Sequence, residues 1–266
     1  MIRWILLLTL ISLKLSAQEF SPAPFLGAGK TALAQKGIYS LSANTSGIAQ
    51  LRRTEVAVSY QQHFVKTDIA SQAILLGIPL KSQGAIGLSL TNYGIFGVSS
   101  FLRGGLTYAR AFGSQFLTSI TANYHQYQVT NYHTSKAFSA DLGVQYLWSE
   151  RFHIGAFFRN ISQSAFPTTL DQRIARELGL GLCYYLSEEL TLGGDVLKEF
   201  PHRLVYRGGL SYAFDTRFVL RGGATSTPVQ YTAGAGFVAK DWQFDFASSF
   251  HSKLGTSPQL SVRYAF

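Results

Sequence analysis

The stretch SPQLSVRYAF, residues 257–266, is the part of the sequence that decides the fold class. Its large residues fall on one face of an extended strand: Leu260, Val262, Tyr264 and Phe266. Its small or polar residues fall on the other face: Ser261, Arg263 and Ala265. A half-buried strand of a soluble sheet alternates in the same way as a strand of a membrane barrel. The rest of the sequence must therefore decide between the two.

The first residues, MIRWILLLTLISLKLSAQ, indicate export. Arg3 precedes a short apolar run, Ile5 to Ile11, and small residues at 16 and 17 precede Gln18, which is the pattern of a secretory signal peptide. The apolar run is shorter than the roughly 20 residues that a membrane helix needs, which disfavours an N-terminal anchor. We predict a signal peptide over residues 1–17 and a mature chain from Gln18.

The composition favours strands over helices. The 266 residues include 25 Gly, 14 Tyr and 20 Phe, and only 14% are charged. Cys183 is the single cysteine, so an intrachain disulfide is excluded. The formal net charge of +9 suggests an anionic environment. For an exported chain we expect outer-membrane lipid and lipopolysaccharide, and no nucleic acid.

Period-two alternation recurs along the mature chain and predicts an all-β fold. The candidate strands are 54–62, 70–80, 84–92, 101–112, 115–129, 136–148, 151–160, 175–186, 189–198, 203–214, 217–223, 228–239, 241–251 and 257–266. Tight turns such as SER (149–151) and DTR (215–217) alternate with longer connections, as in barrels with short periplasmic turns. We predict a transmembrane antiparallel β-barrel of about 14 strands over residues 54–266, in the bacterial outer membrane.

The two faces of these strands differ in size. In 241–251, Trp242, Phe244 and Phe246 share one face, and Gln243 and Asp245 share the other. A soluble barrel would place the bulky apolar residues inside. We therefore expect the large face to meet lipid. In the last strand, the aromatic residues Tyr264 and Phe266 are then a candidate assembly signal.

The segment before the first strand, residues 18–53, lacks clean alternation but is rich in apolar residues. A flexible periplasmic tail would expose them to water. A barrel of about fourteen strands has an interior wide enough to hold a plug. We predict that residues 18–53 plug the lumen.

Charged residues fall on the inward positions of many strands: Arg103, Asp141, Arg159, Glu177, Asp195, Arg207, Arg221, Asp245 and Arg263. Opposite charges in a confined interior pair with each other or with the plug, because an unpaired buried charge is costly. A structural charge network is one interpretation. A ring that selects anions is the other.

We predict no catalytic residues, no cofactor and no metal. The match of GAGKTA (27–32) to nucleotide-binding fingerprints lacks a preceding strand. The six histidines are scattered, without the spacing of metal ligands. A Ser–His–Asp grouping assembled across strands is an open alternative, because barrel hydrolases build theirs in space.

The segments GAGKTALAQKGIYSLSANTSGIAQLRR (27–53), AFSADLGVQY (137–146), FFRNIS (157–162) and TLGGDVLK (191–198) resemble the PorV/PorQ family of Bacteroidetes outer-membrane proteins. That family is related in fold to the FadL channels. Its N-P-A-G-L-A-like turn corresponds here to NTSGIA (44–49), with Asn44 and Gly47 at the turn.

The resemblance implies a plugged fourteen-stranded barrel that takes part in type IX secretion, with secretion components or cargo proteins as partners. A candidate partner loop carries Phe166, Pro167 and Leu170. The alternative is a FadL-like passive uptake channel for hydrophobic small molecules, opened sideways through the wall. Large apolar residues are few on the inward face, for example Leu75 and Phe157, which favours the secretion hypothesis over an apolar conduit.

Overall fold

The computed structural model describes residues 20–81, 84–167, 174–201 and 204–266, and the predicted signal peptide lies outside them. Fourteen strands form a closed antiparallel barrel in which each strand pairs with its sequence neighbours and β14 pairs with β1. The strands are β1 (Glu55–Gln62), β2 (Ile69–Leu80), β3 (Gly84–Ile95), β4 (Ser99–Phe112), β5 (Phe116–Val129), β6 (His133–Leu147), β7 (Phe152–Arg159), β8 (Arg176–Tyr185), β9 (Leu190–Phe200), β10 (Leu204–Ala213), β11 (Phe218–Ser226), β12 (Val229–Ala239), β13 (Trp242–His251) and β14 (Gly255–Ala265). The predicted fold class is confirmed.

The outer face of the barrel is apolar, as the alternation predicts. On β13, Phe244 and Phe246 are exposed, whereas Asp245 between them is 1% exposed. On the last strand Leu260 is exposed and Ser261 is buried. Large residues outside and small or charged residues inside suit a lipid environment, and closure leaves no strand edge without a partner.

The tight turns at one rim follow from their sequences. In the turns 148–151, 186–189 and 214–217, the second residue accepts two backbone N–H groups through its side chain. Asp215 Oδ1, for example, accepts the N–H groups of Arg217 (2.7 Å) and Phe218 (2.9 Å). These bonds lower the pKa of Asp215. Ser and Asp close such turns because their short side chains reach the backbone two and three residues on.

The opposite rim differs from the prediction. Longer connections were expected there, but only 63–68 and 160–175 exceed a tight turn. The reason is that several strands continue further than their apolar pattern: β3 extends to Ile95 and β4 begins at Ser99, and these two residues still pair. Ladder hydrogen bonds do not require apolar side chains, so pairing persists above the lipid-facing band.

The barrel wall is taller on one side. The strands β2 to β6 have 12 to 15 residues each, whereas β7 to β14 have 8 to 11. At a rise of about 3.4 Å per residue, this difference amounts to several ångströms of wall. The wall formed by β2 to β6 therefore extends beyond residues 20–53, which occupy the lumen.

Residues 20–53 lie inside the barrel and contain the short helix α1 (Ala23–Gly27) and two 3-10 turns, Ile38–Ser42 and Thr45–Ile48. We call residues 20–53 the plug. It runs around the inner wall: α1 contacts β11 to β14, Leu33 packs with Phe157 of β7, and Ile48 packs in a cluster with Leu75 and Leu117. No helix in the described part of the chain is long and apolar enough to span a bilayer.

The plug returns to the place where the barrel closes. Near its start, Ala23 N–H donates to Ser261 Oγ of β14 at 2.9 Å. At its end, Arg53 donates to the backbone oxygens of Ala265 (2.9 Å) and Phe266 (2.6 Å) and contacts Asp241 at 2.7 Å. The Phe266 N–H donates to Thr54 O at 2.9 Å. The plug therefore holds the β1–β14 seam at both of its ends.

Candidate functional site

The lumen holds a network of buried polar and charged residues, and one side of its wall is lined with glycine. Glycines that face the plug occur on each strand from β6 to β12: Gly143, Gly155, Gly181, Gly193, Gly209, Gly223 and Gly234. We call this row the glycine track. A Cβ on Gly155 would collide with the Leu33 carbonyl, and one on Gly209 with the Ala28 carbonyl. The plug backbone therefore occupies the volume of the missing side chains.

Two predicted lumen charges bind this part of the plug directly. Asp195 Oδ2 accepts the backbone N–H groups of Ala32 at 2.8 Å and Leu33 at 3.3 Å. Arg207, which lies opposite Asp195 on the neighbouring strand, donates to Lys30 O at 3.3 Å. These hydrogen bonds with charged side chains satisfy plug backbone groups that have no partner in a helix or a strand.

The other predicted charges lie in ion pairs. Arg159 lies 2.7 Å from Glu177 and also donates to Ser42 O of the plug at 3.0 Å. Arg221 lies 2.8 Å from Asp245, whose other oxygen accepts Gln243 Nε2 at 2.7 Å.

Arg263 contacts Glu55 at 3.4 Å, and Arg103 contacts Asp141 at 2.6 Å. Sequence reasoning missed Glu55, although its inward position follows from the alternation of β1. The pairing favours a structural network over an anion-selecting ring.

The NTSGIA turn is buried in the middle of the lumen. Asn44 Nδ2 donates to Leu33 O at 2.7 Å and to Val144 O of β6 at 2.9 Å, and Asn44 Oδ1 accepts the Ser46 hydroxyl at 2.8 Å. Gly47 lies against the Gln35 carbonyl, where a Cβ would collide. Asn44 thus joins two parts of the plug to the wall.

A cavity of about 80 Å³ lies between the plug and the tall wall. Its apolar lining includes Phe20, Leu41 and Phe101, and its polar lining includes the Arg103–Asp141 and Arg159–Glu177 pairs. We call it the outer cavity.

Beside the outer cavity, Arg103 Nε donates to Asn123 Oδ1 at 3.1 Å, and His125 Nε2 lies 2.8 Å from Ser139 Oγ. Sequence reasoning did not select Asn123, His125 or Ser139. The alternation of β5 and β6 places all three on the inner face, and this pattern could have identified them as lumen residues.

The loop after β7 covers this cavity. Asn160 N–H donates to Asp141 Oδ1 at 2.8 Å, and Asn160 Nδ2 donates to Ser164 O and Ile174 O. Phe166 is 5% exposed and packs edge-on against Phe101, with ring centroids 6.2 Å apart.

The partner-loop prediction therefore needs correction. Phe166 was expected to be an exposed contact, but it is buried because its ring fills the mouth of the lumen. Pro167 is exposed, and Leu170 lies outside the described residues.

The wall beside the outer cavity is thin. On its lipid side an apolar depression of about 540 Å³ is lined by Leu88, Leu106 and Gly104, among others. Ser89 lines both this depression and the outer cavity. At this height the adjacent positions Ser89, Gly105 and Asn123 pair in register across β3, β4 and β5. One layer of small residues separates the cavity from the membrane.

Among the described residues, no group of three or more His, Cys, Asp or Glu is arranged to hold a metal ion. The candidate assembly residues lie at the seam, where the Tyr264 and Phe266 rings are 4.8 Å apart and Phe266 is exposed. Their role in assembly stays a prediction.

No family model and no curated protein sequence matches this chain. Solved structures match it by fold. The Pseudomonas putida toluene transporter TodX superposes with a TM-score of 0.69 at 11% identity, covering 93% of this chain and 98% of that one. The Ralstonia pickettii toluene transporter TbuX gives 0.64 at 13% identity, covering 92% and 97%. A Pseudomonas aeruginosa FadL homologue gives 0.62 at 12% identity, covering 92% and 98%.

These likenesses show a FadL-type fold. A closed barrel with an apolar exterior is built for the bacterial outer membrane, which is where the protein resides. The similar structures are transport proteins rather than enzymes. None of them is named for protein secretion, so the resemblance to the PorV/PorQ family gains no support here, and the type IX hypothesis stays a hypothesis.

Proposed function

We propose that the protein is a passive outer-membrane channel for small hydrophobic molecules. The observation that carries the proposal is the outer cavity, which is separated from a lipid-facing depression by the single layer Ser89–Gly105–Asn123. The proposal replaces secretion as the leading hypothesis because the loop expected to capture a partner instead buries Phe166 over the lumen.

The plug supports a sideways route. It fills the lumen from β14 around to β2, and its apolar residues Ile38, Leu41 and Ile48 are almost fully buried. A molecule that reaches the outer cavity therefore meets a packed floor in the direction of the periplasm. The thin wall at Gly104 and Gly105 is the shorter way out, and it leads directly into an apolar environment.

The size of the cavity indicates the class of molecule. At about 80 Å³ it is about half the size of cavities of about 150 Å³ that bind benzene, so it must nearly double in volume to take a single ring. A long acyl chain does not fit. This agrees with the similar structures named as toluene transporters.

The test is uptake of radiolabelled toluene by host cells that express the protein. We expect faster accumulation than in cells with an empty vector, and a reduction of several-fold for Gly104→Phe. A Cβ on Gly104 has only Leu90 Cδ1 nearby, at 3.9 Å, so a ring there fills the depression without entering the lumen.

Gly222→Phe is the matched control. Gly222 faces outward on β11, where a Cβ meets nothing within 4 Å. Equal uptake with and without the protein would refute the channel. Equal uptake by both variants would refute the sideways route. Co-purification of secretion components with a protein that transports nothing would restore the type IX hypothesis.

A further inference from the structure

The outer cavity has a directed chain of hydrogen bonds in its wall. Arg103 Nε donates to Asn123 Oδ1 at 3.1 Å, so the Asn123 amide nitrogen points at Ser139 Oγ, 3.4 Å away. Ser139 Oγ also shares a hydrogen bond of 2.8 Å with His125 Nε2, whose direction depends on the tautomer of the imidazole. His125 Nδ1 is a donor in one tautomer and an acceptor in the other.

His125 Nδ1 has no hydrogen-bond partner among the residues that the structure describes. His125 is 3% exposed and belongs to the cavity lining, with its ring 6.1 Å from the ring of Phe101. A buried polar nitrogen without a partner costs free energy, which a ligand hydroxyl can recover because it can either donate or accept a hydrogen bond. The Arg103 side chain, which is 29% exposed, lines the same cavity.

The charges around the cavity select against an anion. Arg103 and Arg159 are matched by Asp141 and Glu177, at 2.6 and 2.7 Å, so the formal charge of these four residues sums to zero. A carboxylate on the ligand would face two carboxylates already in place. A neutral oxygen avoids that repulsion and still accepts hydrogen bonds.

We propose that the outer cavity binds a neutral single-ring compound that carries an oxygen function, such as an aromatic alcohol, rather than a pure hydrocarbon or an aromatic acid. The ring lies among Phe20, Leu41 and Phe101, and the hydroxyl forms a hydrogen bond with His125 Nδ1. This inference rests on the proposed channel function and names its substrate class.

Three probes of similar size test the inference: toluene, benzyl alcohol and benzoate. They share one ring and differ in having no oxygen, a neutral oxygen or a charged carboxylate. Their dissociation constants are measured by titration calorimetry on the full-length purified protein in detergent, with a detergent blank. We expect benzyl alcohol to bind most tightly and benzoate least.

His125→Phe keeps a ring against Phe101 and removes the unpartnered Nδ1. We expect it to weaken benzyl alcohol binding by about 3- to 10-fold and to leave toluene unchanged or tighter. His153→Phe is the matched control, because His153 is also 3% exposed and ring-packed, with Tyr185, but does not line the outer cavity. Its binding constants should equal those of the wild type.

Heat-modifiable migration on gels establishes that each variant is a folded barrel. If His125→Phe does not assemble, Arg103→Lys carries the test, since it keeps the charge beside Asp141 and removes the Nε donor that orients Asn123.

The outcomes separate the inference from the proposed function. Binding of toluene and benzyl alcohol that His125→Phe leaves unchanged, or weakens equally, overturns the oxygen preference while the channel stands. Tighter binding of benzoate overturns the neutrality argument. Failure of all three probes to bind, together with failure of toluene uptake, overturns both.

Discussion

The two sides of the barrel hold the plug in different ways. We call strands β7 to β12 the docked half and strands β2 to β6 the open half. In the docked half the plug backbone lies directly on the glycine track, as Leu33 does at Gly155. In the open half the plug reaches the wall through side chains: Leu41 and Ile48 approach Gly87, and Thr45 Oγ1 lies 2.8 Å from Ser119 Oγ.

The difference shows how a plugged barrel can contain a cavity. Backbone contact with glycine leaves no space, so the docked half fixes the plug against one wall. The longer strands of the open half then rise above the plug, and the loop that carries Phe166 covers the gap. Close packing of the plug against the docked half therefore leaves space for the outer cavity beside the open half.

The largest expected effect comes from removing the plug. Deletion of residues 18–52 keeps Arg53 at the seam, and should convert a barrel with almost no conductance into a wide pore, since about fourteen strands enclose an aqueous interior. Conductance in planar bilayers measures this. An unchanged low conductance would mean that the plug does not close the lumen.

Breaking an ion pair should lower the free energy of unfolding more in the docked half than in the open half. Arg221→Ala removes the charged partner of the Asp245 side chain, which is 0% exposed and keeps its hydrogen bond from Gln243, and we expect a loss of roughly 3–5 kcal/mol in the free energy of unfolding. Arg103→Ala in the open half should cost less, because the Arg103 side chain is 29% exposed, against 9% for Arg221, and its ion pair is therefore better hydrated. Denaturant midpoints of the folded barrels compare the two, and equal losses would contradict the distinction between the halves.

Filling the glycine track should move the plug. Gly155→Ala and Gly209→Ala place a Cβ on plug carbonyl oxygens, and we expect each to cost about 1–3 kcal/mol and to raise the conductance. Gly222→Ala, which points into open space, is the control. The temperature at which the folded gel band is lost measures the effect, and three equal temperatures would refute the close contact.

Phe166→Ala should have the smallest effect on the barrel. It removes the ring of a loop residue that packs on Ala137 and Ile174, and no ring of a wall strand. We expect faster cleavage of the 160–175 loop by protease and faster ligand association, with the folded gel band unchanged. Cleavage at the wild-type rate would show that Phe166 does not hold the loop.

Much of this architecture could be predicted from the sequence, because strand alternation reports which way each side chain points. Asp245 and Phe246 are placed correctly by that rule alone. The rule does not give partners between distant strands, so Glu55 was missed as the partner of Arg263.

Other features depend on the path of the plug. Alternation places Gly155 on the inner face and Gly222 on the outer face, but nothing local shows that Gly155 touches the plug backbone. Phe166 was expected to be exposed because an apolar loop residue resembles a contact surface, whereas its burial depends on Phe101 of another strand. The outer cavity could not be predicted, because it is the space that the plug leaves.

The path of the plug also bears on how the barrel reaches its size. The plug touches β14 through Ala23, β7 and β8 through Leu33, β6 through Asn44, and the closing seam through Arg53. The plug thus contacts the wall around its circumference and returns to the seam where it began. We therefore expect it to act as a gauge of barrel size, because one hairpin more or fewer would separate Ala23 or Arg53 from its contact at the seam.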